Sequence, residues 1–168
     1  MKPGAAELSL RLVGPGDRDL LLEWANDAAT RAASLHTDPI DASTHDAWFA
    51  QRLTSPAGRI WIGEIRGHPI GQVRIDRIDS GGDARDGRGE VGISVASEAR
   101  GLGLASRLLL AGMDAAVQAL GVTTFVAVVR PENARSLALF REAGFSDDSE
   151  GVRDGIVCRI LVRHGEPR

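Results

Sequence analysis

The stretch Arg100-Gly-Leu-Gly-Leu-Ala105 sets two glycines directly ahead of a long apolar segment. Glycine weakens a helix, so two of them at the mouth of one need a reason. A helix start leaves backbone N–H groups unpaired and carries partial positive charge. With no Cβ at Gly101 and Gly103, an anion can come close to that backbone, and Arg100 adds a fixed guanidinium. The pattern suits a pyrophosphate cradle. It equally suits a plain strand-to-helix turn. A Walker loop is excluded because no Gly-Lys-Ser/Thr follows. A dinucleotide fingerprint is excluded because Ser106 stands where its third glycine would be.

These groups must be carried by regular elements. Residues 7–13 alternate Leu8, Leu10 and Leu12 with polar residues, the pattern of a half-buried strand. Gly14-Pro15-Gly16 stops it, and Asp17 is placed to cap a helix bearing Leu20, Leu21, Trp24 and Ala25. Ser43 or Thr44 opens a second helix with His45, Trp48, Phe49 and Leu53. Residues 59–78 read as a hairpin turning at Arg66-Gly67-His68-Pro69, residues 80–89 as a Gly/Asp-rich loop and residues 90–95 as a short strand.

Leu102 to Leu120 carries the longest helical pattern, and Gly121 ends it. Residues 123–129 are apolar enough for a central strand. Asn133 opens a helix through Glu142 that Gly144 ends, and residues 155–162 form a final strand with Cys158 in its core pattern. The order β-α-α-β-β-β-α-β-α-β-β predicts one mixed α/β (α+β) domain over residues 1–168, with no linker.

Composition narrows the function. Apolar residues make up 43% and charged residues 26%, ordinary for a globular domain. A net charge of −3 argues against a nucleic-acid binder relying on a broad basic surface, though not against a local basic pocket. The single cysteine excludes an internal disulfide, and no cluster resembles a metal site. No signal core and no apolar run of ~18 residues stand out, so the expected location is the cytoplasm, away from membranes. A homodimer is compatible with the chain.

Arg100-x-x-Gly103-x-Ala105 resembles the Q/R-x-x-G-x-G/A signature of the GNAT N-acetyltransferase superfamily. Residues 131–145 resemble its second landmark, N-x-x-[SA]-x-x-L-[YF]-x-x-x-G-F, at Asn133, Ser136, Leu139, Phe140, Gly144 and Phe145. The strand at 90–95 also matches, and the resemblance covers most of the chain. It implies a GNAT fold: a central mixed, mostly antiparallel twisted sheet of about seven strands with about four helices. It also implies acetyl-CoA as co-substrate. The pyrophosphate would lie on the backbone of Arg100, Gly101, Leu102, Gly103, Leu104 and Ala105. The strand holding Ile93 and Val95 would splay from that of residues 124–129, and the pantetheine arm would enter the gap. A backbone N–H near Val95 would polarise the thioester carbonyl. Asn133, Ser136 and Phe140 would face the cofactor.

The implied reaction is direct acetyl transfer to an amine, which needs a proton acceptor. Glu90 opens the strand that lines the cleft and is the leading candidate; His45 and His36 compete. Many family members protonate the departing thiolate with a tyrosine in the second landmark. Here that position is Phe140 and the chain has no tyrosine, so Tyr acid catalysis is excluded. This departure keeps open a non-catalytic acyl-CoA-binding module.

For the acceptor, Trp24-x-Asn26-Asp27, Arg31, Ser34, Ile40 and His45-x-x-Trp48-Phe49 resemble N-acetyltransferases of UDP-linked amino sugars in the pseudaminic acid pathway. Alanine at 25 departs from that pattern, which usually has Arg. The resemblance implies acceptor contacts from Trp24, Asn26, Arg31, His45 and Trp48. Burial in the helix core is the competing reading for the aromatic residues. A protein N-terminus and an antibiotic amine are alternative acceptors, the latter suiting an acidic pocket built from Asp76, Asp79, Asp83 and Asp86.

Overall fold

The computed structural model describes residues 7–78 and 87–165. Asp79, Asp83, Asp86 and most of the Gly/Asp-rich loop lie outside the described residues. Alternating Leu8–Leu12 forms β1, followed by α1 (Arg18–Asn26), α2 (Ala28–Ala33) and α3 (Ala42–Thr54). The hairpin is β2 (Gly58–Ile65) and β3 (His68–Arg77), turning on Arg66 and Gly67 at φ 51° and 77°. Two residues with positive φ match the right-handed twist of the paired strands. Then come β4 (Arg88–Val95), α4 (Leu104–Leu120), β5 (Thr124–Val129), α5 (Ala134–Glu142), β6 (Ser146–Arg153) and β7 (Ile156–His164).

The strands form one sheet in the order β1-β2-β3-β4-β5-β7-β6. Every pairing is antiparallel except β4 with β5. This is the predicted mixed, mostly antiparallel sheet. Val73 and Ile75 of β3 point to one face, where they are fully buried beside Leu108 and Leu109 of α4. Gly112 lets α4 settle there, since a Cβ at that position would overlap the Val73 side chain. The opposite face carries Gln72, Arg74 and Asp76 of β3, paired with Ser94, Gly92 and Glu90 of β4. Trp48 of α3 packs near this second face, 5.9 Å from the Arg74 guanidinium.

Several local expectations change. There are five α-helices among the described residues, not about four. The extra one, α2, has six residues, too few to show a periodicity. The cap of α3 is Asp41, whose carboxylate accepts from Thr44 N–H, rather than Ser43 or Thr44. Asp17 stands at the cap position of α1, but its side chain makes no capping bond there. It accepts from Gly14 N–H and takes two bonds from Arg11 at 2.8 Å, which hold its carboxyl below the usual range. The fourth α-helix begins at Leu104, and Leu102 precedes it with its side chain in solvent.

Candidate active site

The ladder between β4 and β5 stops at Glu90↔Val126, although β4 runs on to Val95 and β5 to Val129. The two strands therefore part. Hydrogen bonds Ile78 N–H to Arg88 O and Ala96 N–H to Ile70 O bracket the β3–β4 ladder. Antiparallel pairing alternates, so the even residues of β4 bond to β3 and the main-chain groups of Val91, Ile93 and Val95 face the gap. A cavity of about 590 Å³ occupies this region. Ile93 and Val95 line it from β4, Val128 and Val129 from β5, and Asn133, Ser136 and Phe140 from α5.

At its mouth stands the glycine loop. Gly101 and Gly103 have φ of 76° and 71°, and a Cβ at either would meet nothing within 4 Å. Gly103 occupies the cap position of α4 and has no side chain to fill that role. The first N–H groups of the helix thus start beside open space, lined by Arg100, Gly101, Gly103, Leu104 and Ala105. This backbone fits a pyrophosphate. Leu102 is the one predicted member of the set outside the lining, being 68% exposed.

Arg100 has a different role from a free phosphate clamp. Its Nε donates to Val95 O at 3.1 Å, and one terminal nitrogen donates to Asp27 Oδ2 at 2.6 Å and Thr30 Oγ1 at 3.3 Å. Asp27 also caps α2 by accepting from Thr30 N–H at 3.0 Å. Arg100, and then that N–H, draw the Asp27 carboxyl below the usual range. The loop is thereby tied both to the end of β4 and to α2. Asn133 is a true cap, accepting from Ser136 N–H at 3.1 Å, and it lines the cavity as well. Phe140 is buried edge-on to Phe145, a packing role consistent with a phenylalanine there.

The candidate bases are scattered. Both Glu90 oxygens accept from Arg153, at 2.6 and 2.9 Å, and the same bonds raise the Arg153 pKa. His45 is 3% exposed, stacked on Phe49, and neither ring nitrogen has a partner among the described residues. Burial depresses its pKa, so it is neutral, and it does not line the cavity. His36 lies exposed, 2.9 Å from Asp154.

The predicted acceptor residues largely build scaffold. Asn26 exchanges two 2.8 Å hydrogen bonds with the Ile40 backbone. Arg31 donates to the carbonyls of Ala25, His36 and Asp38 and to Ser34 Oγ. Trp24 is buried in the core. Asn26 and Arg31 hold the segment between α1 and α3 together, so their polar groups are already engaged. Trp48 remains beside the guanidinium groups of Arg52, at 5.8 Å, and Arg74. Asp76 lies between those two arginines and is no free acid.

Sequence reasoning missed Arg153 and α2. The Glu90–Arg153 contact spans 63 residues and left no local signal. Asp27 followed three residues on by Thr30 was a legible capping signal for α2. Thr30 of this helix and Ser34 at its C-terminal cap reach the cavity wall.

Residues 7–146 match the family model of the acetyltransferase (GNAT) domain. The chain belongs to the GNAT acetyltransferase family. An L-methionine sulfoximine/L-methionine sulfone acetyltransferase of Pseudomonas aeruginosa is 29% identical over 143 residues, covering 82% of this chain and 79% of that protein. The spermidine N-acetyltransferase of Vibrio cholerae, solved with CoA and spermine, superposes with a TM-score of 0.82 at 19% identity, covering 95% and 96% of the two chains. An aminoglycoside acetyltransferase solved with coenzyme A gives 0.78 at 18% identity, covering 94% and 95%. This GNAT protein is therefore an acyltransferase with acetyl-CoA as co-substrate. Among its described residues no helix is long and apolar enough to cross a membrane, and no group of three or more candidate metal ligands occurs.

Proposed function

We propose that the acyl group passes directly from acetyl-CoA to the primary amine of a small molecule lying on the β3–β4 face. The parting of β4 and β5 over an uncapped glycine loop carries this reading. Bound acetyl-CoA supplies an activated acyl group and a thiolate that leaves readily. The chain supplies the rest. The loop from Arg100 to Ala105 seats the pyrophosphate, and Asn133 and Ser136 flank the arm. The main-chain N–H of Val95 or Ile93, facing the gap, donates to the carbonyl where charge develops. Glu90, on the same strand, takes the amine proton through water while Arg153 fixes its orientation. With no tyrosine in the chain, the thiolate is protonated by solvent.

A nucleotide-linked amino sugar is the acceptor that the N-terminal pattern suggests. Trp48 with Arg52 and Arg74 supports it by offering a ring face and positive charge. A small amino acid is the second reading, favoured by the acceptor named for the Pseudomonas relatives. Thiol release from acetyl-CoA over a panel of amino sugars, sugar nucleotides, amino acids, peptides and polyamines tests the proposal. Release with a small-molecule amine is expected. Acetyl-CoA binding with no release from any amine would return the protein to a binding module. Molecular mass in solution decides the homodimer.

A further inference from the structure

Five buried side-chain atoms among the described residues lack a hydrogen-bond partner: both ring nitrogens of His45, Gln72 Oε1, Arg74 Nε and Ser94 Oγ. Native folds leave few such groups, and those of Gln72, Arg74 and Ser94 lie at adjoining positions of one sheet face. Gln72 and Ser94 are directly opposed on β3 and β4, and Arg74 follows two residues along, opposite Gly92. His45 lies 5.4 Å from the Trp48 ring, which in turn lies 5.9 Å from the Arg74 guanidinium. Gly92 and Ser94 both line the acetyl-CoA cavity. The Arg74 guanidinium sits over Gly92, where a Cβ would lie 3.3 Å from its Nη2.

Among the described residues, the acidic groups around Arg74 are outnumbered. Arg74 Nε is 3.0 Å from Asp76 Oδ2 without hydrogen-bond geometry, and Asp76 also pairs with Arg52. Two guanidinium groups thus share one carboxylate, leaving one positive charge among these described residues. The other pair nearby, Glu90 with Arg153, is neutral as a unit.

We propose, resting on the transferase reading above, that the acceptor bears an anionic group and that Arg74 receives it, with Gln72 and Ser94 bonding the polar atoms between that group and the amine. The anion is a carboxylate or a phosphate; Arg74 presents the same fork to both. The amine then lies toward Ser94 and the cavity, so the acceptor is compact, about 7 Å from anion to amine at the strand rise.

Two matched pairs test this: L-methionine sulfone against its carboxamide, and glucosamine 1-phosphate against glucosamine. In the first pair the carboxamide holds more of its amine neutral near pH 8, so chemistry alone favours the neutral member. The wild type is expected to show kcat/KM at least about tenfold higher for the acid of one pair, which also tells carboxylate from phosphate. Arg74→Gln is expected to bring that ratio near one through KM for the acid, with acetyl-CoA affinity retained as the check on folding. Arg74→Lys keeps the charge and is expected to retain part of the preference. Turnover without acid preference in the wild type, or a preference that survives Arg74→Gln, overturns the anion seat and leaves the transferase reading standing. No CoA release from any of the four overturns the compact anionic acceptor, and no release from any amine of the wider panel overturns the transferase reading as well.

Discussion

At the scale of single residues, Glu90 is the sharpest test of chemistry. Its carboxylate is oriented by two bonds from Arg153 and sits on the strand that lines the cavity. A carboxylate has about four lone-pair sites, so two remain for water. Glu90→Gln keeps shape and an acceptor oxygen but removes basicity. Turnover should fall about a hundredfold while acetyl-CoA affinity holds. A wild-type rate and pH profile in that variant would take the proton-acceptor role away from Glu90. His45 is the weaker candidate, being 3% exposed and stacked on Phe49, with its pKa pushed down by burial.

At the scale of elements, the structure joins what the sequence keeps apart. Asp27 caps α2 and grips Arg100, so one carboxylate couples α2 to the glycine loop. Asp27→Ala removes both contacts. It should weaken acetyl-CoA binding about tenfold, with a loss of stability of about 1 kcal/mol from the missing cap. Asp27→Asn keeps the cap and an oxygen for Arg100, and should recover most of the affinity. Equal affinity in Asp27→Ala would mean that the loop holds its shape unaided.

The elements also show how far the sequence could be read. Strands β1 to β5, the hairpin turn and α4 follow from alternation, glycine placement and helical spacing, which are local signals. The glycine loop and Asn133 were legible because their motif spacing is local too. What stayed hidden depends on distance or brevity. Helix α2 is too short for a periodic signature, and Arg153 meets Glu90 only through the β6–β7 hairpin. The segment from Trp24 to Ile40 misled in an instructive way. Asn26 and Arg31 look like ligand contacts in sequence, yet they bind backbone carbonyls and an N–H in the fold. A sequence pattern records that a polar side chain is needed, not whether it faces a substrate or its own chain.

At the scale of the whole molecule, we propose that one sheet serves two ligands. Its β4–β5 seam opens onto the cavity, while Gln72, Arg74 and Ser94 lie on the face opposite α4. The α4 face is closed by packing, Gly112 against Val73, and gives the seam a rigid wall. The central claim is that acetyl-CoA lies in this seam with its pyrophosphate on the glycine loop. Equilibrium binding of acetyl-CoA to the wild type and to Gly103→Trp, with thermal melts of both, measures it most directly. Space above Gly103 is open, so an indole there meets no protein atom at its Cβ but fills the seat. Forcing a side chain onto a left-handed φ should lower stability by only about 1–2 kcal/mol. The account predicts that the wild type binds and that the variant stays folded but does not. Unchanged affinity in a folded Gly103→Trp protein would contradict it.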